Sequence, residues 1–339
     1  MKKYILILIL ISNFFVGWAI EPDPNILWQA EDPEGLGYTG FVIHPNGNII
    51  ANRKCEFFEI DGNTGKFLRA FPVHYGYSDI VNVSVSNDGK YFASAYYGDS
   101  TDIFIFEYET GVVFRRLHNF AETICFFPDS KRILMNSIYG GFTIYNLETD
   151  SSIYNGPTDQ WTTNLALSPD GKYFASAGIT FKGSEPKQYT VLNLCDAKTM
   201  KIIKQLGKIE GIEEVSSIKF SDDGKIVGFI VGSFGNLYVY NTIDFSLIFI
   251  KDFVSDLCFI ENDFIGLGGY YPMIYRLYDK KQIFKSIEGY LGGTAFYKKQ
   301  NNTFITGKFP INAWNLNKIL SVVTESHQDT SYSTQYNED

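Results

Sequence analysis

The sequence predicts an all-β fold, a seven-bladed β-propeller of four-stranded antiparallel blades, and three observations carry that prediction. First, the segment NDGKYFASA at 87–95 returns almost letter for letter as PDGKYFASA at 169–177. Weaker copies stand at 45–53, 128–136 and 222–230, and two more, degenerate in their turns, begin near Glu261 and Gln300. Second, aligned on the turn position, the series runs Gly47, Gly89, Ser130, Gly171, Gly224, then about 262 and 301, in steps of 42, 41, 41, 53 and two near 39. A repeat of about 40 residues made of short strands is the length of one blade. Third, each copy pairs a tight-turn signal with apolar residues at every second position, the signature of strands with one buried face.

Within a unit the elements follow in a fixed order. Strand a ends in the Asp-Gly or Asn-Gly turn, where both central residues must tolerate positive φ; examples are 164–168 and 217–221. Strand b follows at 91–95 and 173–177, then strand c at 103–106, 237–240 and 311–314. A second turn, clearest in Asn63-Thr64-Gly65 and Glu109-Thr110-Gly111, leads to strand d at 66–70, 112–116 and 201–205.

In strand a, Val83/Val85, Ile124/Phe126, Leu165/Leu167, Ile218/Phe220 and Leu257/Phe259 share one face. The opposite face carries Ser84, Cys125, Ala166, Cys258 and Ala295 at one equivalent position, small enough for the next blade to approach; Lys219 breaks that rule. With 29 Phe and 23 Tyr, bulky rings are available to fill the layers between blades. Two segments compete to complete the last blade, Ile26–Ala30 and Ile319–Val323. The first is favoured, because a strand from the other terminus hides two sheet edges at once.

These turns and strands resemble the WD40 repeat, over residues 26–323. The resemblance is to the WD40-like propeller group rather than to orthodox members. The Trp-Asp pair survives only as Phe106-Glu107, Tyr145-Asn146, Tyr240-Asn241, Tyr278-Asp279 and Trp314-Asn315, and no unit has a Gly-His dipeptide. No specific partner is carried over from that group.

The ends read differently. Lys2 and Lys3, the apolar run Tyr4–Ile11, and Gly17 and Ala19 at −3 and −1 form the grammar of a secretory signal peptide, residues 1–19, cleaved after Ala19. An uncleaved membrane anchor is the competing reading. The expected mature propeller spans 20–323, without a membrane span, and the polar segment 324–339 lacks an apolar pattern and is read as a disordered tail. The expected location is periplasmic or secreted.

Loss of the leader moves the net charge from −9 to −11, 27 basic against 38 acidic side chains. A surface of that sign disfavours nucleic acid. Cys55, Cys125, Cys195 and Cys258 lie 60–70 residues apart and are expected to be unpaired small hydrophobes.

No catalytic set, cofactor motif or metal-ligand spacing stands out. His44 and His327 read as surface residues, His118 follows a strand d, and His74 lies in a polar loop. Asp61-Gly62-Asn63-Thr64-Gly65 begins like a calcium loop but lacks its spacing and closing Glu, so it reads as a turn. Asp99 and Asp102 alone do not make a site.

The expected function is a non-catalytic binding or scaffold propeller, monomeric, taking a protein or glycan on the face that gathers the d–a and b–c loops. The candidate contact residues are Tyr75, Tyr77, Tyr96, Tyr97, Trp161, Tyr270, Tyr271 and Tyr290, with Tyr139 and Phe181 in neighbouring loops. Loops on a rigid scaffold carry function, and Tyr and Trp are the usual contact residues. The alternative is a lactonase-like hydrolase with its site at the mouth of the central channel. Sequencing the N-terminus of protein recovered from the cell envelope should find Ile20 first; an intact Met1 species in the cytosol would overturn the leader reading.

Overall fold

The computed structural model describes residues 23–72, 79–97, 102–118, 121–137, 140–155, 160–180, 187–233, 235–286, 294–307 and 311–321. Twenty-eight strands form seven four-stranded sheets, each strictly antiparallel. Six blades run a, b, c, d in chain order. The seventh takes a, b and c from Thr294–Lys298, Thr303–Gly307 and Asn312–Asn315, and its outer strand from the other end of the chain, Ile26–Gln29. The described part of the rival segment, 319–321, belongs to a short helix at 316–321. Among the described residues no helix is long and apolar enough to cross a membrane.

The repeated turns are built by one local mechanism. In blade 2 the Ser86 hydroxyl donates to Asp88 Oδ1 at 2.8 Å and accepts from Tyr91 N at 2.9 Å, while Lys90 N donates to the same carboxylate at 3.0 Å. Ser168/Asp170 and Ser221/Asp223 repeat the arrangement in blades 4 and 5. Partial burial pushes these carboxyls up, but the hydrogen bonds outweigh it and hold all three below the ordinary aspartate value. Ser130 keeps the backbone of the glycine it replaces, at φ 59° with its N–H donating to Phe127 O as Gly89 N does to Ser86 O. In blades 6 and 7 the positive φ moves to Glu261 and Asn302, at 51° and 50°, in turns of different build.

Blade 4, with the long 53-residue step, owes its length to its strands. Strand b runs Tyr173–Thr180, c runs Tyr189–Asp196 and d runs Ile202–Glu210. The strands thus carry paired sheet out to Thr180, Tyr189 and Glu210.

The apolar interior is seven wedges rather than one core, each made from two neighbouring blades. Leu257 and Phe259 pack back onto blade 5, whereas Cys258, on the other face of the same strand, packs forward with Ala295, Phe304 and Trp314 of blade 7. The small-residue position is thus the forward face. All four cysteines are free thiols. Register also corrects one alignment. Phe106, Tyr145, Tyr240 and Trp314 each lie opposite the second residue of strand b. In blade 6 that place belongs to Tyr275, opposite Ile265, while Tyr278 is a turn residue, 73% exposed.

The inner strands have one edge that no strand covers, and neighbouring blades supply the missing partners. Asn82 Oδ1 and Ser84 Oγ accept from Ile124 N and Phe126 N, both at 3.1 Å. Cys125 Sγ lies 3.7 Å from Leu165 O, and Asn164 Nδ2 donates to Val215 O at 3.0 Å. Lys219 is explained by the same rule: its ammonium reaches Asp256 Oδ2 and Ala295 O, both at 2.9 Å, and lies 4.0 Å from the Phe296 ring centre. One side chain thereby ties blade 5 to blades 6 and 7.

The closure between blades 7 and 1 uses a second lysine. Lys298, 2% exposed, donates to Gly62 O and Asn63 Oδ1, both at 2.8 Å. The calcium-like segment 61–65 is a turn with that ammonium docked on it, and Asp61 Oδ1 is occupied by Asn63 N, Thr64 N and Thr64 Oγ1. The closing strand also leads directly into blade 1, with Glu31 N donating to Gly65 O at 2.8 Å.

His44, expected on the surface, is 4% exposed. Its ring stacks on Tyr108 at 3.6 Å and bonds to Gly89 O at 2.8 Å. Tyr108 in turn donates to Glu59, which also accepts from Asn48 and Arg69, so blades 1 and 2 are joined by a polar cluster. Burial alone would raise the Glu59 carboxyl; the hydrogen bonds from Tyr108, Asn48 and Arg69 outweigh it and hold it below its usual value.

Lys298→Met should cost about 2–3 kcal/mol in denaturant unfolding, because the Gly62 carbonyl and the Asn63 amide lose a buried partner. A loss under about 0.5 kcal/mol, the range of an ordinary surface change, would remove Lys298 from the closure.

Candidate functional site

The inner strands of all seven blades enclose a channel of about 690 Å³. Its wall carries the Lys219–Asp256 pair, and the Ser217 hydroxyl donates to Asp256 Oδ1 at 2.5 Å. These charges satisfy one another, so this pair holds the wall together. At the rim, Glu122 and Glu214 stand just before the inner strands of blades 3 and 5. The Glu122 carboxyl is raised, by burial first and then by the Glu214 carboxylate.

A separate cleft of about 440 Å³ opens between blades 5 and 6, on the face of the d–a and b–c connections. Three loops build it. Gly232, Ser233 and Gly235 of the b–c connection of blade 5 and the d–a connection into blade 6 (252–255) are knit by Val254 N donating to Gly235 O at 3.0 Å. Gly235, at φ +65°, has no room for a side chain, since a Cβ would lie 1.9 Å from Val254 O. The third loop is the b–c connection of blade 6, which contributes Gly269 and Tyr270.

Among the described residues Phe253 and Tyr270 are the exposed aromatics of this cleft, at 73% and 58% exposure. Phe253 lies at φ 62°, a region that bulky L-residues rarely adopt. The connections into blades 1 and 5 also visit the left-handed region, but with Gly37 and Gly211. Glu214, Ser216, Ser233 and Ser255 supply the polar lining. Among the described residues no Lys, Arg or His lines the cleft.

The predicted contact residues divide. Tyr270 lines the cleft, and Tyr271 sits against it edge-on, ring centres 4.8 Å apart, with the Lys285 ammonium 4.6 Å from its own ring centre. Trp161 is 40% exposed near the start of blade 4. Tyr96 is a correction: it belongs to strand b of blade 2, Tyr91–Tyr97, is fully buried, and packs edge-on against Phe57 and Phe104. That strand is two residues longer than the repeated NDGKYFASA segment, which is why Tyr96 reads as loop from sequence. Tyr97 ends the same strand. Tyr75, Tyr77 and Tyr290, like Tyr139, Phe181 and His74, lie outside the described residues. The residue that sequence reasoning misses is Phe253, because an exposed Phe beside a buried Val254 has the same letters as a core residue.

Asp102 is 1% exposed, paired with Arg116 at 2.5 Å, and its Oδ1 lies 2.8 Å from His118 Nδ1. Among the described residues no three His, Cys, Asp or Glu are grouped so as to hold a metal ion.

No family model matches this chain, and no curated protein matches it. Among solved structures it is similar to the β-propeller domain of Cps50 (Swd1) from Myceliophteria thermophila, with a TM-score of 0.67 over 86% of this chain and 99% of that one, at 14% identity. A likeness at that identity is one of fold: the seven-bladed propeller.

The raised Glu122 carboxyl makes the folded state hold its proton more tightly than the unfolded chain does. Its contribution to stability is therefore full below the unfolded glutamate value of about 4.5 and is lost as pH rises through the higher folded value. Glu122→Gln should flatten that part of a melting temperature–pH curve; an unchanged slope above pH 4.5 would show that Glu122 is not the group responsible.

Proposed function

We propose that this chain is an exported, non-catalytic propeller of the WD40-like group that engages a protein partner through the face of its d–a and b–c connections. Phe253 carries the reading. A bulky residue held in the left-handed region costs on the order of 1–3 kcal/mol, and leaving a Phe in water forgoes about 2 kcal/mol of burial. The blade does not use the ring for its own packing, since Val254 is the residue of this loop buried in the wedge between blades 5 and 6. Strain and exposure at one position, on a loop clamped by Gly235, describe a contact anchor presented by a rigid support. Tyr270 and Tyr271 extend the same aromatic surface. Export is supported by the signal-like residues 1–19, and the WD40-like reading by the repeat cadence and by the blade-by-blade register.

Two variants test this. Phe253→Gly suits the local backbone and should leave stability unchanged or raise it by up to about 1 kcal/mol. Ile243→Ser alters an equally exposed residue on the opposite face, in the c–d turn of blade 5. Proteins that copurify with the wild type from the source envelope should be lost with Phe253→Gly and kept with Ile243→Ser. The reverse pattern, or unfolding of the glycine variant, overturns the assignment of the face.

A further inference from the structure

We propose that the cleft between blades 5 and 6 receives a cationic side chain of the bound partner, an arginine above all; this rests on reading that face as a protein-binding surface. The cleft combines exposed aromatic surface with an uncompensated carboxylate. Phe253 and Tyr270 present their rings to solvent at its rim. Glu214 is exposed, and its carboxylate has no hydrogen bond or ion pair among the described residues. Glu213 adds a second carboxylate beside the 232–235 loop, its Oε2 lying 2.7 Å from where a Cβ on Gly232 would stand. A negative site without a resident base, flanked by π-faces, is complementary to a cation.

The molecule already contains the same interaction in self-satisfied form. Lys285 lies over Tyr271, the neighbour of Tyr270, and Lys208 lies 3.9 Å from the ring centre of Tyr189. Tyr271 thus has its cation, while no cation is paired with Tyr270 or Phe253 among the described residues. The polar lining favours arginine over a sugar. Serine hydroxyls and backbone carbonyls can accept from the several N–H groups of a guanidinium, and Glu214 can take two of them side by side. A neutral sugar stacked on these rings would leave the Glu214 charge unmatched, whereas a guanidinium meets the rings and the carboxylate together. The overall charge of −9 acts in the same direction, drawing a basic segment towards the molecule.

The test uses the full-length protein and two small probes, N-acetyl-arginine amide and its neutral isostere N-acetyl-citrulline amide. Ring-proton shifts of Tyr270 and Phe253, assigned through Tyr270→Leu and Phe253→Leu, report binding. The arginine probe should give saturable shifts and the citrulline probe none. Glu214→Gln, an exposed and non-disruptive change, should weaken the arginine probe roughly tenfold, and added salt should weaken it in the wild type. Equal response to both probes, no response to either, or saturation of the same rings by a neutral oligosaccharide overturns the inference. Failure here with Phe253-dependent partner capture intact removes the arginine site and leaves the protein-binding face. A working arginine site with no Phe253-dependent partner does the opposite.

Discussion

The structure depends on one constraint: every blade has an inner edge that no strand covers, and a closed ring is what lets side chains satisfy it. Backbone amides and carbonyls facing a narrow channel must find partners or forfeit about 1–3 kcal/mol each. Asn82, Ser84, Asn164, Asp256 and Lys219 provide those partners from one blade for the next. A side chain at the forward face of strand a is therefore chosen for two tasks, to be small enough for close approach or long enough to reach across. Lys219 belongs to the second kind. The seven apolar wedges follow from the same arrangement, since each blade buries its faces only when both neighbours are in place.

How much of this could be read beforehand differs by level. The number of blades, their strand order and the origin of the closing strand follow from the spacing of Gly47, Gly89, Ser130, Gly171 and Gly224 and from two terminal candidates competing for one slot. Those features are local and periodic. The polar ties are neither. Lys298 meets Gly62, and His44 meets Gly89 and Tyr108, across distances in the chain that no spacing rule connects. The candidate site was half legible for a related reason. Tyr270 and Tyr271 stand in a loop flagged by glycines, so their exposure could be anticipated. Phe253 could not, because its distinguishing mark is a backbone angle. The available hint was comparative: where Gly37 and Gly211 take the left-handed turn into other blades, blade 6 has a phenylalanine.

The two faces divide the labour. The a–b and c–d turns are short, hydrogen-bonded to their own Asp and Ser side chains, and locked to the adjoining blade, as Asp88 N to Ser130 Oγ at 2.9 Å illustrates. The opposite face carries Phe253, Tyr270 and Tyr271, with Glu214 beside them. The loop that carries Phe253 is held by the hydrogen bond between Val254 N and Gly235 O, and that support keeps the residue in an unfavourable conformation.

The closing strand has a consequence for how the molecule comes into being. Ile26 pairs with Trp314, so the seam joins the beginning of the propeller to its very end. Blades 1 to 6 can each assemble from contiguous chain as synthesis proceeds, but the seventh has no outer strand of its own to wait with. Until Trp314 has emerged, the Ile26–Gln29 segment has no partner and the wedges on either side of the gap stay wet. A contact of that sequence separation makes circularisation the slow and final event. It also makes a nascent, open horseshoe the species most exposed to edge-to-edge association with its own copies.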